Sequence, residues 1–147
     1  MVTPAAVALC LVVAITDGDT VKTRCATAGR YEQITIRLAE IDAPEKRQPF
    51  GEKSRQSLAE LCFGVEAEIR AQTTDRYGRT VARIVCRGRD ANAEQVRRGM
   101  AWVYDRYVTD RGLYGLQEAA QRSRVGLWRE ADPMPPWEWR RERRKPT

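Results

Sequence analysis

Between residues 9 and 86 the chain carries five short runs of strand-forming residues and turns helical only once among them. Residues 9–15 are apolar throughout, and residues 20–25 are rich in β-branched side chains. Residues 32–38 put Ile34, Ile36 and Leu38 on one face and Thr35 and Arg37 on the other, the period-2 pattern of a strand with one buried face. Asp17-Gly18 and Ala28-Gly29-Arg30 separate these three runs, and both are turn sequences, so the three form a meander. Residues 65–71 and 81–86 pair as a second hairpin around TTDRYGRT. In the one interruption, residues 51–62, Ser54, Leu58, Leu61 and Cys62 recur at helical spacing, and Gly64 follows as a stop. Five short antiparallel strands with a helix inserted between the third and fourth predict an α+β fold with a mainly β core: a five-stranded, OB-like Greek-key barrel.

Two further helices bring the expected number to three. One runs from a cap at Asp90 to Arg98. The other covers residues 113–124, with Leu113, Leu116, Ala120 and Ser123 inward. From Asp132 the chain reads as a tail: three prolines, then Trp137 and Trp139, then the basic run Arg140, Arg141, Arg143, Arg144 and Lys145. The tryptophans would anchor it on the barrel; the basic run is either a solvated end or a nucleic-acid contact. Residues 1–147 read as one domain with this tail at about 132–147, since no repeat or linker divides them.

The run from Ala5 to Ile15 is too short to span a bilayer as a helix and reads as a buried strand. Ala6-Val7-Ala8 resembles a signal cleavage site, but no basic segment precedes it, so any export signal is expected upstream of Met1.

A net charge of +6 suits a polyanionic partner as well as it suits a soluble basic surface. The absence of histidine excludes Ser-His-Asp and Cys-His catalysis, histidine general bases and zinc sites that need imidazole. Four cysteines, at 10, 25, 62 and 86, stand too far apart for a CxxC motif. They read as two disulfides in an oxidising compartment, or else as four buried thiols. Cys10 and Cys25 are equidistant from the Asp17-Gly18 turn and so face each other in a regular hairpin, while Cys62 and Cys86 end the helix and the fifth strand. The expected pairs are Cys10–Cys25 and Cys62–Cys86.

Polar residues gather where strands end: Asp17 and Asp19 at the first turn, Arg37 on the third strand, Asp42 and Glu45 just beyond it, and Arg79 closing the second hairpin. Singly, each is ordinary turn or surface chemistry. Together they suit phosphodiester cleavage. Carboxylates converging without histidine favour a hard cation bound through oxygen, with Asp19 and Asp42 as its ligands. Glu45, held off by Pro44, is placed to orient or deprotonate water. Arg37 and Arg79 offer guanidinium forks to a phosphate.

Five stretches in order resemble a known family, the staphylococcal-nuclease-like thermonucleases: DGDTVK (17–22), IRLAEIDAPE (36–45), DRYGR (75–79), VRRGMAWV (96–103), and GLW (126–128) ahead of PPWEWR. The resemblance implies an OB-like barrel with three helices and calcium-dependent cleavage of DNA and RNA that leaves 3′-phosphates. It implies that Asp19, Asp42 and the backbone carbonyl of Ala43 take Ca²⁺, that Arg37, Glu45 and Arg79 carry catalysis, and that Arg76, Tyr77 and Tyr107 lie near the nucleotide. The chain departs from the family at Ala43, where the founding member has threonine, and at Asp105, where a nucleotide-contacting tyrosine is expected beside Tyr104. Its loop between Glu45 and the first helix is also shorter. The leading expectation is a secreted or periplasmic, sugar-nonspecific endonuclease acting on DNA and RNA as a monomer, without a membrane partner. The alternatives are an OB-fold module that binds nucleic acid without cutting it, and a calcium-binding interaction domain, which would need neither Arg37 nor Arg79.

Overall fold

The computed structural model describes residues 7–144. Its strands are β1 (Val7–Asp17), β2 (Thr20–Thr27), β3 (Arg30–Leu38), β4 (Ile41–Asp42), β5 (Glu66–Thr74), β6 (Thr80–Cys86), β7 (Arg89–Asp90) and β8 (Trp102–Val103). Its helices are α1 (Gly51–Cys62), α2 (Ala91–Arg97), α3 (Gly112–Ser123) and α4 (Pro136–Arg144), with a 3₁₀ turn at Gly126–Arg129. Ala5, Ala6 and Lys145, which figure in the readings of the apolar run, the cleavage pattern and the basic run, lie outside the described residues.

β1 pairs with β2 and β5, β2 with β3, and β5 with β6, all antiparallel; β3 and β6 then close the ring. The result is the expected five-stranded barrel, with one difference. The closing pair is parallel, Ile36 lying opposite Thr80 and Leu38 opposite Ala82. A closed ring of five strands cannot alternate direction all the way round, so one pair must run parallel. Ile36, Leu38, Ile41, Leu58, Ile84 and Leu113 are the largest side chains sealed in the core. Burying each is worth roughly 2 kcal/mol before entropic costs.

Three expectations are corrected. β1 is not buried along its length: Cys10 and Val12 face the core, whereas Val7, Leu9 and Val13 are exposed, because a barrel strand turns alternate residues outward. Ser123 is exposed; α3 buries only Leu113 and Ala120, and the chain leaves the helix at Arg124 in a left-handed conformation. The expected tail contains a fourth helix. Pro136 is buried as the first residue of α4, a position where its fixed φ and missing N–H cost nothing.

Both disulfides are as expected, Cys10–Cys25 and Cys62–Cys86, and no described cysteine is free. The register that brings Cys10 opposite Cys25 has another origin, however. Asp17 pairs with Thr20, so the turn is Gly18-Asp19, one residue later than a regular hairpin about Asp17-Gly18 requires. Two register shifts, between Val12 and Ala14 and between Ile15 and Asp17, each place an extra residue in β1 and return the cysteines to alignment.

Candidate active site

The Gly18-Asp19 turn is pressed against α1 and α2. A Cβ on Gly18 would lie 1.7 Å from the Ser54 Oγ and 2.8 Å from the Ala43 Cβ, so only glycine lets the turn approach this closely. The buried Gln95 amide donates to the Gly18 carbonyl at 2.7 Å, and Ser57 Oγ donates to the Gln95 Oε1 at 2.6 Å. The turn thereby aims Asp19 inward. Its Oδ2 accepts from the Ala43 N–H at 2.7 Å and its Oδ1 from the Thr20 hydroxyl at 3.0 Å.

Arg37 lies on β3 opposite Thr20. Its Nη1 donates to the carbonyls of Leu38 (2.6 Å) and Ile41 (2.9 Å), and its Nη2 stands 3.4 Å from Asp19 and 3.3 Å from Asp42. Asp42 is fixed because β4 pairs with β8, Asp42 opposite Trp102. Glu45 follows Pro44 in a loop tied by Gln48, whose Oε1 accepts from the Glu45 N–H at 3.0 Å and whose Nε2 donates to the Met134 carbonyl at 2.6 Å. A Cβ on Gly51 would lie 2.0 Å from the Glu45 carbonyl oxygen, so α1 begins hard against this loop.

A residue that the sequence reading placed elsewhere completes the cluster. Arg140, from α4, donates through Nη2 to Asp42 Oδ2 at 2.6 Å, and through Nη1 to Asp42 Oδ1 at 3.2 Å and Glu45 Oε1 at 2.6 Å. Trp137, one turn earlier on α4, stacks on Tyr104 with ring centroids 5.5 Å apart and meets Trp102 edge-on. Asp17 also belongs here, accepting from the Asp19 N–H at 3.1 Å.

The electrostatics are those of crowded carboxylates in a desolvated place. Burial first, and the Asp19 charge second, push Asp17 up to about 8. Asp19 is also pushed up by its burial, yet Arg37 and the hydrogen bonds from Asp17, Ala43 and Thr20 outweigh that and hold it below the usual carboxylate range. Burial lifts Asp42 to about 6, with Asp19 adding to the rise and Arg140 and Arg37 opposing it. For Arg140, burial alone would favour losing the proton; Asp42 and Glu45 more than reverse that.

Of the residues singled out from sequence, Asp19, Arg37, Asp42, Ala43 and Glu45 are brought together. Arg79 is not in contact with them: its Nε donates to Asp75 Oδ2 at 2.8 Å, and its guanidinium lies over Tyr77. Arg76 donates to the Tyr77 hydroxyl on the same exposed turn. Tyr107 packs edge-on against Tyr104, whose hydroxyl is 3.5 Å from Arg140 Nη2.

The donor chemistry fits a hard cation: Asp19, Asp42 and the Ala43 carbonyl offer only oxygen, in a place where burial makes unpaired carboxylates costly. Among the described residues, no group of three or more Asp, Glu, Cys or His side chains is arranged to hold a metal ion, and both Asp42 oxygens are engaged by guanidinium groups.

The closed five-stranded barrel thus collects carboxylates and arginines beside one turn. The family model described as staphylococcal nuclease homologue matches residues 35–130, and the chain belongs to that family. A protein of Haemophilus influenzae named "Uncharacterized endonuclease" is 43% identical over 133 residues, spanning 90% of this chain and 73% of its own. The "Micrococcal nuclease" of Shigella flexneri is 38% identical, over 92% of this chain and 82% of its own. "Staphylococcal-like nuclease CAN1" of Arabidopsis thaliana is 35% identical over 77% of this chain, which spans 35% of that longer protein. The chain is thus a nuclease, a hydrolase of phosphodiester bonds.

Proposed function

We propose that the protein is a calcium-dependent, sugar-nonspecific endonuclease that cuts DNA and RNA and leaves 3′-phosphates. The observation that carries this reading is the convergence of Asp19, Arg37, Asp42 and Glu45 around the Gly18-Asp19 turn. Asp19, Asp42 and the Ala43 carbonyl would hold Ca²⁺. Bound there, the ion supplies positive charge to the phosphate and acidifies water. Glu45 takes the proton of the attacking water. Arg37 would meet a phosphoryl oxygen with its guanidinium held in place by two backbone carbonyls. Arg79 would leave Asp75 to take a second oxygen, with Arg76, Tyr77 and Tyr107 flanking the nucleotide. The two disulfides support an oxidising compartment, hence a secreted or periplasmic protein, here taken as a single-domain monomer.

A second reading, a module that grips nucleic acid without cutting it, draws on two facts: Arg140 covers Asp42 and Glu45, and Arg79 is turned to its own hairpin. Digestion of plasmid DNA and of a labelled RNA, with calcium and with excess chelator, separates the two. Cutting of both with calcium and of neither with chelator supports the nuclease as proposed. Binding without cutting under both conditions supports the module.

A further inference from the structure

We propose that Arg140 is an internal cation of the active site: its guanidinium fills the acidic end in the metal-free protein, and a divalent cation binding at Asp42 must displace it. This rests on the metal site proposed above.

The argument begins with which oxygens are taken. Arg140 engages both oxygens of Asp42, at 2.6 and 3.2 Å, and one of Glu45, at 2.6 Å. Short, charge-assisted contacts of this forked kind are the strong ones. A divalent ion coordinated by Asp42 would use the same lone pairs, and a guanidinium held against it would be repelled. Arg140 and the ion are therefore alternatives at Asp42.

Of the two arginines at the site, only Arg140 is built to leave. Arg37 is tied to two backbone carbonyls and its side chain is 13% exposed; the Arg140 side chain is 29% exposed and, among the described residues, has besides the two carboxylates one further hydrogen-bonding neighbour, the Tyr104 hydroxyl at 3.5 Å. Tyr104, which Arg140 approaches, lines a groove of about 420 Å³ together with Asp105, Arg106, Trp137, Arg141 and Arg144. The helix that presents it is anchored without its help. Pro136 is buried, Trp137 stacks on Tyr104, and Gln48 holds the Met134 carbonyl just before α4. Trp137 and Arg140 are three residues apart and share one helix face, so the docked ring aims the arginine at the site. The side chain can swing out while α4 stays in place.

Calorimetric titration of calcium into the metal-free parent, Arg140→Gln, Arg140→Lys and Arg141→Gln tests this. A plug seated about nine-tenths of the time weakens apparent calcium binding about ten-fold. Arg140→Gln should therefore bind calcium about ten-fold more tightly than the parent, and Arg140→Lys should fall between them, since lysine keeps the charge but loses the fork. Arg141→Gln removes the same charge from the same helix without touching Asp42 and should stay within about two-fold of the parent. The proposal is overturned if Arg140→Gln binds calcium no more tightly than the parent, or if Arg141→Gln tightens binding equally, which would make the effect one of long-range charge. Should Arg140→Gln lose its fold by circular dichroism, Arg140→Lys decides by the same comparison. A parent that binds calcium and cuts DNA while Arg140→Gln binds no tighter removes the plug alone. If neither parent nor variants bind calcium, the metal site falls and the plug with it.

Discussion

Glu40 and Asp42 stand two residues apart, 5% and 1% exposed, and the fold treats them in opposite ways. Around Glu40 every lone pair has a donor. Oε1 accepts from the N–H groups of Thr109 and Asp110, at 2.6 Å each, and from the Thr109 hydroxyl at 2.7 Å; Oε2 accepts from Arg83 at 3.0 Å and Gln72 at 3.3 Å. Burial works against its charge, but these donors prevail and hold it at about 2. Asp42 instead shares its space with Asp19, takes its donors from two side-chain guanidiniums, and is pushed up to about 6. A buried carboxylate met by backbone donors is a joint in the structure. One crowded by like charge and served by a side chain that can leave is poised for chemistry.

Breaking the poised side should give the largest effect. Glu45→Gln keeps the size of the side chain and removes its charge, and turnover should fall about 10²-fold to 10⁴-fold in cleavage assays at saturating calcium. Breaking the joint should cost stability instead. For Glu40, the fall from 4.5 to about 2 corresponds to about 3 kcal/mol at neutral pH. Because the folded value is the lower one, this contribution is complete above about pH 4.5 and is lost as the pH drops toward 2. Urea titrations from pH 7 down to 3 should show Glu40→Gln destabilised by about that amount at neutral pH, with the gap to the parent narrowing in acid. Its turnover per folded molecule should match the parent's.

On the proposed site, Asp42→Asn acts on the metal rather than on the proton transfer, which sharpens the contrast. It should weaken calcium binding, so that activity lost at low calcium partly returns as calcium is raised, which Glu45→Gln should not show. The smallest effect belongs to the rim of the Glu40 network. Asp110 meets Arg83 at 3.2 Å with its side chain half exposed, so losing that ion pair in Asp110→Asn should cost no more than about 1 kcal/mol in thermal unfolding.

What the sequence revealed and what it hid follow from distance along the chain. Helix α1 begins and ends where its periodicity says, because Ser54, Leu58, Leu61 and Cys62 report one buried face. Asp19, Arg37, Asp42 and Glu45 were readable because each lies at or just beyond a strand end whose pattern is local. Arg140 was not, since it reaches Asp42 from 98 residues away and is one of four arginines in a run that reads as either a solvated end or a nucleic-acid contact. Its only local signal was Trp137, one helical turn earlier. The parallel β3–β6 pairing was implicit in a closed ring of five, and the two extra residues in β1 were masked because they cancel at the cysteines. Nothing in the sequence singles out Glu40. Its donors come from residues 109 and 110, and no pattern near residue 40 announces them.

The most direct test of this contrast is cleavage of a defined oligonucleotide across a calcium titration by the parent, Glu45→Gln and Glu40→Gln at equal concentrations of folded protein. The account predicts calcium-dependent cutting by the parent, none in excess chelator, parent-like cutting by Glu40→Gln, and a rate about 10²-fold to 10⁴-fold lower for Glu45→Gln even at saturating calcium. Parent-rate cutting by Glu45→Gln, or equal cutting by the parent in excess chelator, would contradict it.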